Sequence, residues 1–531
     1  MKNLAFISLC ALSLSASAQV WVADNKNDTY RNPILYADYS DPDVCRVGDD
    51  YYMTSSSFGC APALQILHSR DLVSWRIIGY AIERLSPDSV FSRPQHGNGV
   101  WAPSIRYHGG AFYIFYGDPD FGIYMVKSAK PDSTWDVPIL VKAGRGLIDP
   151  CPLWDDNGNV YLVHAYAGSR AGIKSLLAVC RLSPNATTAI SEDVIVYDGH
   201  GIDETIEGPK LYKRNGYYYI LAPAGGVATG WQLALRSKNV YGPYERKVVL
   251  EQGNTNINGP HQGAWVTTPM GEDWFLHFQD LGAYGRVVHL QPMQWQNDFP
   301  IIGANNGKGI GNPVLVHAKP KTKQPYPICA PAESDHFDNP TLGLQWQWHA
   351  NPKVWWAIPR PAQGALRMYA VPNNGSNNLW TAGNLLLQKF PAPEFAATAQ
   401  LSFEPNPRLA GERAGLIVVG LDYAHIYIES TKAGLTLNQA ECKKADKGSP
   451  ESINASVPLA QRSVFLRVSV GKNAECIFAY SLDGTRFATL GKPFAAREGK
   501  WIGAKVGLHI TRPEPSNDGG WMDVDSFTIT P

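Results

Sequence analysis

From residue 41 onward the chain alternates apolar and polar positions with a period of two, and the alternation returns in blocks. Five stretches share one order: "DPDVCRVGDDYYMTSSS" from Asp41, "WAPSIRYHGGAFYIFYG" from Trp101, "DPCPLWDDNGNVYLVHAY" from Asp149, "EGPKLYKRNGYYYI" from Glu207 and "HQGAWVTTPMGEDWFLHFQ" from His261. In each, an apolar residue stands four positions on (Cys45, Ile105, Leu153, Leu211, Trp265), followed by a Gly/Asp/Asn turn and an aromatic-rich run. Turn chemistry between two period-two runs predicts a β-hairpin. A third strand is predicted after each hairpin, within 64–75, 123–135, 176–184, 231–244 and 285–295.

The blocks start about 50–60 residues apart and show almost no helical periodicity. Five β-meander units at that spacing predict an all-β chain built on a five-bladed β-propeller. The first strand of each blade lines the central axis. The five starting residues, Asp41, Trp101, Asp149, Glu207 and His261, are therefore expected in equivalent positions, converging at one mouth of the channel. Singly, each has a plainer reading: Asp before Pro suits an ordinary turn, a lone Trp suits a core, and a lone His is structural. Three carboxylates, a Trp and a His in shared register favour a catalytic site. Asp43 has the same strand parity as Asp41, and Asp203 and Glu204 precede Glu207, so periodicity alone does not separate these acids.

The pattern changes after the last block. "HAKPKTKQPYPICAPAESD", residues 317–335, is Pro/Lys-rich and nonperiodic and reads as a linker. Beyond it, alternating runs such as "AGLIVVGLDYAHIYIES", "SVFLRVSVG" and "ECIFAYSLDG" predict a β-sandwich. The expected organisation is a propeller over 30–316, a linker over 317–333 and a sandwich over 334–531. The opening "MKNLAFISLCALSLSASAQV" has one cation, an apolar run and a closing Ala-Ser-Ala, the pattern of a secretory signal peptide over 1–18. The expected destination is periplasmic or extracellular.

Composition narrows the chemistry. Lys+Arg and Asp+Glu are both 47, which argues against nucleic-acid and polybasic membrane binding. The 16 Trp and 25 Tyr suit packed strands and also sugar faces. Cys residues beyond the leader are scattered without CxxC spacing, indicating neither a zinc site nor a dense disulfide framework. No phosphate loop, dinucleotide fingerprint or Ser-His-Asp motif occurs in a credible context, so no organic cofactor is implied.

At "SDPDVCRVGDDYYM", "VWAPSIRYHGGAFYIFY", "LIDPCPLW", "IEGPKLY" and "GRVVHLQPMQW", the chain resembles glycoside hydrolase family 43 over roughly residues 30–300. The resemblance implies an inverting glycosidase acting on arabinose- or xylose-containing plant cell-wall glycans. It implies Asp41 as general base, Glu207 as general acid, and Asp149 as the carboxylate that orients Glu207 and modulates its pKa. It implies Trp101 at the substrate, Arg286 holding substrate hydroxyls, and Phe58 as an apolar floor of the sugar pocket. Plainer readings are a blade-edge salt bridge for Arg286 and simple packing for Phe58. His261 resembles a central histidine that helps hold a hydrated calcium ion in the channel. The second segment is similar to the concanavalin-like sandwich of family β-xylosidases and arabinofuranosidases, which favours release of one terminal sugar. Two alternatives remain open here: a retaining fructan- or sucrose-type hydrolase, and a noncatalytic glycan-binding propeller.

Overall fold

A computed structural model describes residues 19–373 and 376–531. The proposed signal peptide, residues 1–18, lies outside the described residues. Five four-stranded antiparallel meanders follow one another along the first part of the chain. Their inner strands are Asp43–Val47, Ser104–His108, Leu147–Trp154, Lys210–Arg214 and His261–Thr267. The tight turns Gly48-Asp49, Gly109-Gly110 and Asn215-Gly216 join the first, second and fourth of these to their neighbours. Apolar side chains between neighbouring blades form separate clusters, for example Ile148, Val163 and Val179 of the third blade against Leu211, Ile220 and Leu233 of the fourth. The ring closes by packing of the fifth blade against the first, and residues 30–35 clamp that seam. Leu35 bridges to Val288, and the Tyr30 hydroxyl donates to Leu290 O at 2.7 Å.

Each blade has one strand more than the alternation predicts. Several outer strands bury little: Ile139–Ala143 buries only Val141, and Val194–Asp198 is exposed or half-buried on both faces. Without a buried face there is no apolar/polar alternation to read.

The channel below the mouth is filled by charge. Asp43 Oδ2 accepts from Ile105 N and from Arg106 Nη1, both at 2.6 Å. Lys210 donates to Pro103 O at 2.6 Å and to Ser104 Oγ at 2.8 Å, and stands 3.9 Å from Asp43 Oδ1. These residues come from the inner strands of three blades and tie them together across the axis.

Val316–Ala318 pairs with Thr29–Arg31, and residues 319–333 then run without regular strands to the second unit. That unit is two eight-stranded sheets packed face to face. Alternate residues of each strand point inward, such as Leu416 and Val418, Ile426 and Ile428, Val506 and Leu508 from one sheet. Val464, Leu466 and Val468, with Met522 and Val524, answer them from the other. Residues 414–430, read as one run, form a hairpin of Arg413–Val419 and Tyr423–Thr431.

The sandwich docks on the propeller through backbone as well as side chains. Ala61 N donates to Trp348 O at 3.1 Å, and Trp348 N donates back to Ala61 O at 2.5 Å. Tyr284 of the propeller is packed into the sandwich core and donates to Pro393 O at 2.9 Å.

Candidate active site

All seven residues singled out in the sequence, Asp41, Phe58, Trp101, Asp149, Glu207, His261 and Arg286, line one cavity of about 490 Å³. It opens at the end of the propeller where the inner strands begin. Asp41 stands two and Glu207 three residues before an inner strand, Asp149 sits at a bulge between Ile148 and Cys151, and His261 opens its strand beside a second bulge.

The five starting residues do not hold strictly equivalent positions. The regular ladders begin with Asp43↔Thr54, Ser104↔Phe115, Cys151↔Val163, Lys210↔Leu221 and Gly263↔His277. Two residues earlier stand Asp41, Ala102, Asp149, Gly208 and His261. Trp101 and Glu207 are each one residue out of that register. At the register position Asp41, Asp149 and Gly208 share left-handed φ values of 55°, 57° and 58°. Asp tolerates this region better than most residues, and held conformations of this kind concentrate at functional sites.

The Asp41 carboxylate is fixed by donors. Its Oδ2 accepts from Ser40 Oγ at 2.8 Å and Ser56 Oγ at 2.5 Å, and its Oδ1 lies 3.2 Å from Arg286 Nη1. Arg286 also donates to Ser40 Oγ at 2.8 Å, and its backbone N–H donates to buried Asp38 at 2.9 Å. The Arg286–Asp41 pair is buried and charge-assisted, a strong orienting contact. Asp149 Oδ2 accepts from Gly208 N at 2.7 Å and from Gln262 Nε2 at 3.1 Å. Burial holds the Asp149 carboxyl well above the usual carboxylate range, and the charges of Glu207 and Asp41 push the same way. Three acids therefore share one electrostatic site. Glu207 Oε1 is 3.1 Å from His261 Nε2, and its side chain keeps 29 % of its surface exposed toward the cavity.

The neighbouring acids have other partners. Asp43 belongs to the channel network described above. Asp203 is held by a bidentate pair with Arg246 and accepts from Trp231 Nε1 at 3.1 Å. Glu204 accepts from Gly201 N at 3.0 Å. Neither of these two reaches the cavity.

The family profile Glycosyl hydrolases family 43 matches residues 30–300, and the profile Beta xylosidase C-terminal Concanavalin A-like domain matches residues 334–530. A putative β-xylosidase of Xylanibacter ruminicola is 37% identical over 92% of this chain and 87% of that relative. This chain belongs to glycoside hydrolase family 43. A β-xylosidase of Formosa agariphila is 31% identical, covering 95% of this chain and 91% of its own. A non-reducing end α-L-arabinofuranosidase of Bacteroides ovatus is 30% identical, covering 80% and 79%. Among solved structures, a family 43 protein of Bacillus licheniformis superposes with a TM-score of 0.81 at 27% identity, covering 94% of this chain and 99% of its own. The cavity is thus the candidate active site of a glycoside hydrolase.

Sequence reasoning missed three residues of this family 43 site. Gln262 positions Asp149, Val227 comes from the glycine-flanked loop of the fourth blade, and Trp501 comes from the sandwich. Trp501 stands edge-on to Trp101 with ring centroids 6.4 Å apart, and Arg286 lies 5.9 Å from its ring. Its loop docks against both sides of the mouth. On one side Gly97 gives the close approach: a Cβ there would come within 2.7 Å of Trp501 Cδ1. Gly97 O also accepts from Trp101 Nε1 at 2.8 Å. On the other side Ala504 N donates to Ala283 O at 2.7 Å, three residues before Arg286.

For calcium, the donor set decides. Calcium takes about six to eight oxygen ligands. No group of three or more His, Cys, Asp or Glu among the described residues is arranged to hold a metal ion. His261 turns Nε2 to Glu207, and its buried Nδ1 has no partner; the same holds for Gln262 Oε1. That set does not fit a directly coordinated calcium, and one imidazole nitrogen is what remains for a hydrated ion.

No helix among the described residues is long and apolar enough to cross a membrane.

Proposed function

We propose that the protein is an inverting, exo-acting hydrolase that releases a terminal β-D-xylosyl residue from plant cell-wall oligosaccharides or polysaccharides. The observation that carries this reading is the cavity itself. Asp41 and Asp149 stand with Arg286 at the blind end of a propeller channel, Glu207 stands nearer the mouth, and a tryptophan of the second domain walls it. A pocket closed on these sides suits one terminal sugar better than a continuous chain. His261 Nδ1 and Gln262 Oε1 make no hydrogen bond within the protein, nor does Arg286 Nε, which lies 3.7 Å from Asp280 Oδ2, and sugar hydroxyls, each donor and acceptor, answer such groups.

In this reading Asp41 takes a proton from the water that attacks the anomeric carbon, and Glu207 protonates the departing glycosidic oxygen. Arg286 and the two serines hold Asp41 facing that water. Asp149, bonded to Gly208 N–H, fixes the backbone that carries Glu207, and the shared charge of the three acids keeps a proton in the cluster. Phe58, whose ring centroid is 6.4 Å from that of Trp101, supplies an apolar surface beneath the sugar. Inversion requires space for water between base and acid, about 6.5–9.5 Å between carboxyl groups. A terminal α-L-arabinofuranosyl unit is the second reading, supported by the arabinofuranosidase relative. Export belongs to the same proposal and rests on the leader-like residues 1–18.

The test is turnover of aryl β-D-xyloside and aryl α-L-arabinofuranoside by the wild type, Asp41→Asn and Glu207→Gln, with the product anomer read by NMR. General acid and base each contribute about 10²–10⁴-fold. Asp41→Asn is expected to lose that factor on every substrate. Glu207→Gln should lose less on activated leaving groups than on xylobiose. Full activity in either variant, or a product of retained configuration, overturns the assignment.

A further inference from the structure

Behind the active site, on the seam between the two domains, a second cavity of about 400 Å³ is lined by Cys60 of the propeller and Lys505 of the sandwich. Lys505 Nζ stands 3.1 Å from Cys60 Sγ, across 445 residues of chain. Cys60 is 4% and Lys505 5% exposed. Neither partner is free to wander. Cys60 is flanked by Ala61, whose backbone is bonded in both directions to Trp348 of the sandwich. Lys505 opens the strand Lys505–Arg512 and is held by a second bond from Nζ to Gln347 Oε1 at 3.0 Å. Gln347 is anchored in turn through its Nε2 to Pro62 O at 2.9 Å.

The electrostatics around this contact are unusual for a buried lysine. Lys505 lies beside a half-buried lysine, Lys389, its register partner on the next strand. Lys389 donates to Gln65 Oε1 at 2.8 Å and shares Gln347 Oε1 with Lys505. Asp38 is the buried acid acting on both ammonium groups. Burial and the neighbouring Lys505 push the Lys389 amine down to about 7. The lowered amine is that of Lys389, so what bears on Cys60 is geometric: the Lys505 Nζ held 3.1 Å from Sγ.

We propose that Cys60 and Lys505 form an oxygen-bridged Sγ–O–Nζ cross-link between propeller and sandwich, with dioxygen as the oxidant. The step balances as thiol plus amine plus O₂ giving S–O–N plus one water. The S–H bond, one N–H bond and the O–O bond break, and one S–O and one N–O bond form. Sulfur and nitrogen each give up two electrons, and the second oxygen leaves as water with both hydrogens. The cavity against both side chains gives a small oxidant a place to enter, and the backbone bonds across the seam keep the two atoms in reach. Cys60 is two residues from Phe58 and Lys505 four from Trp501, so the link would pin the two walls of the active-site cavity that come from different domains.

The test compares the purified full chain exposed to air-saturated buffer with the same protein kept anaerobic under dithiothreitol. Intact mass of the air-exposed protein is expected to gain one oxygen and lose two hydrogens, reverting on reduction. Digestion should yield one linked pair of peptides, containing residues 60 and 505. Cys60→Ser and Lys505→Met should each abolish the change. The linked form should also melt at a higher temperature than the reduced form, because the link constrains the unfolded chain. Quantitative thiol labelling of Cys60 in denatured, air-exposed wild type would overturn the proposal. So would oxygen addition at Cys60 with an unmodified Lys505. The wild-type comparison decides even where a variant fails to fold.

Discussion

Replacing Asp149 by Asn tests the electrostatics of the site more sharply than removing any other group. Both bonds to this side chain, from Gly208 N and Gln262 Nε2, end on the same oxygen, Oδ2. An amide oxygen at that place has two lone pairs and accepts both, so the variant keeps shape and hydrogen bonds and loses only the charge. Burial, Glu207 and Asp41 all raise the Asp149 carboxyl above its ordinary value. A carboxyl raised on folding binds more protons in the native than in the unfolded state. Stability then falls as pH rises from the unfolded pKa through the folded one, by about 1.4 kcal/mol for each unit of displacement. The neutral amide has no such penalty. Asp149→Asn is therefore expected to be near wild type below pH 4, and more stable by at least ~1 kcal/mol at pH 8. Activity should move the other way: kcat/KM drops by about 10²–10⁴-fold. The assays are urea unfolding of wild type and variant at pH 4, 6 and 8, and pH–rate profiles on an aryl glycoside. A stability difference that does not change with pH would refute the reasoning, since it would mean the native carboxyl titrates where the unfolded one does.

Other perturbations separate the parts of the site. Trp501→Ala should lower kcat/KM by about 5–30-fold, or about 1–2 kcal/mol of lost aromatic contact, mainly through KM, and a loss confined to kcat would argue against a wall role. Gly208→Ala places a Cβ at φ 58° where it overlaps Gln262 Cγ; kcat should fall with little change in thermal stability beyond ~1–2 kcal/mol, measured by kinetics and melting together. Arg106→Met removes the 2.6 Å charge-assisted bond to buried Asp43 and leaves only Lys210, 3.9 Å away, as counter-charge; it should destabilise by about 1.5–3 kcal/mol, while the folded fraction keeps its kcat.

The blades were legible because each hairpin carries its own turn signal and a buried face. Outer strands such as Val194–Asp198 lack the buried face: its side chains are exposed or half-buried throughout. Asp41 and Asp149 could be singled out because their motifs recur at blade starts, and Arg286 because its motif resembles the family's. Gln262 was hidden beside His261, whose side chain drew the eye; a polar residue following a register position was the only available signal. Trp501 had none. Its loop follows no period, and its place at the pocket depends on how the sandwich docks at Gly97 and Ala283, which no local pattern encodes.

The offset of Glu207 from the blade register bears on how the acids divide their work. In the first and third blades the left-handed position is itself the acid, so Asp41 and Asp149 sit at the blind end of the cavity. In the fourth blade Gly208 takes that position, and the acid stands one residue toward solvent. The exposures follow: 7% for the Asp41 side chain and 29% for that of Glu207. A terminal sugar enters such a pocket ring first, with its leaving group toward the mouth. The proton donor must then stand at the mouth and the base at the floor, where the attacking water is enclosed. The reverse assignment would require the leaving chain to depart into a channel blocked by Asp43, Arg106 and Lys210. The one residue that breaks the repeat thus gives the site a direction, and that direction supports Glu207 as acid and Asp41 as base.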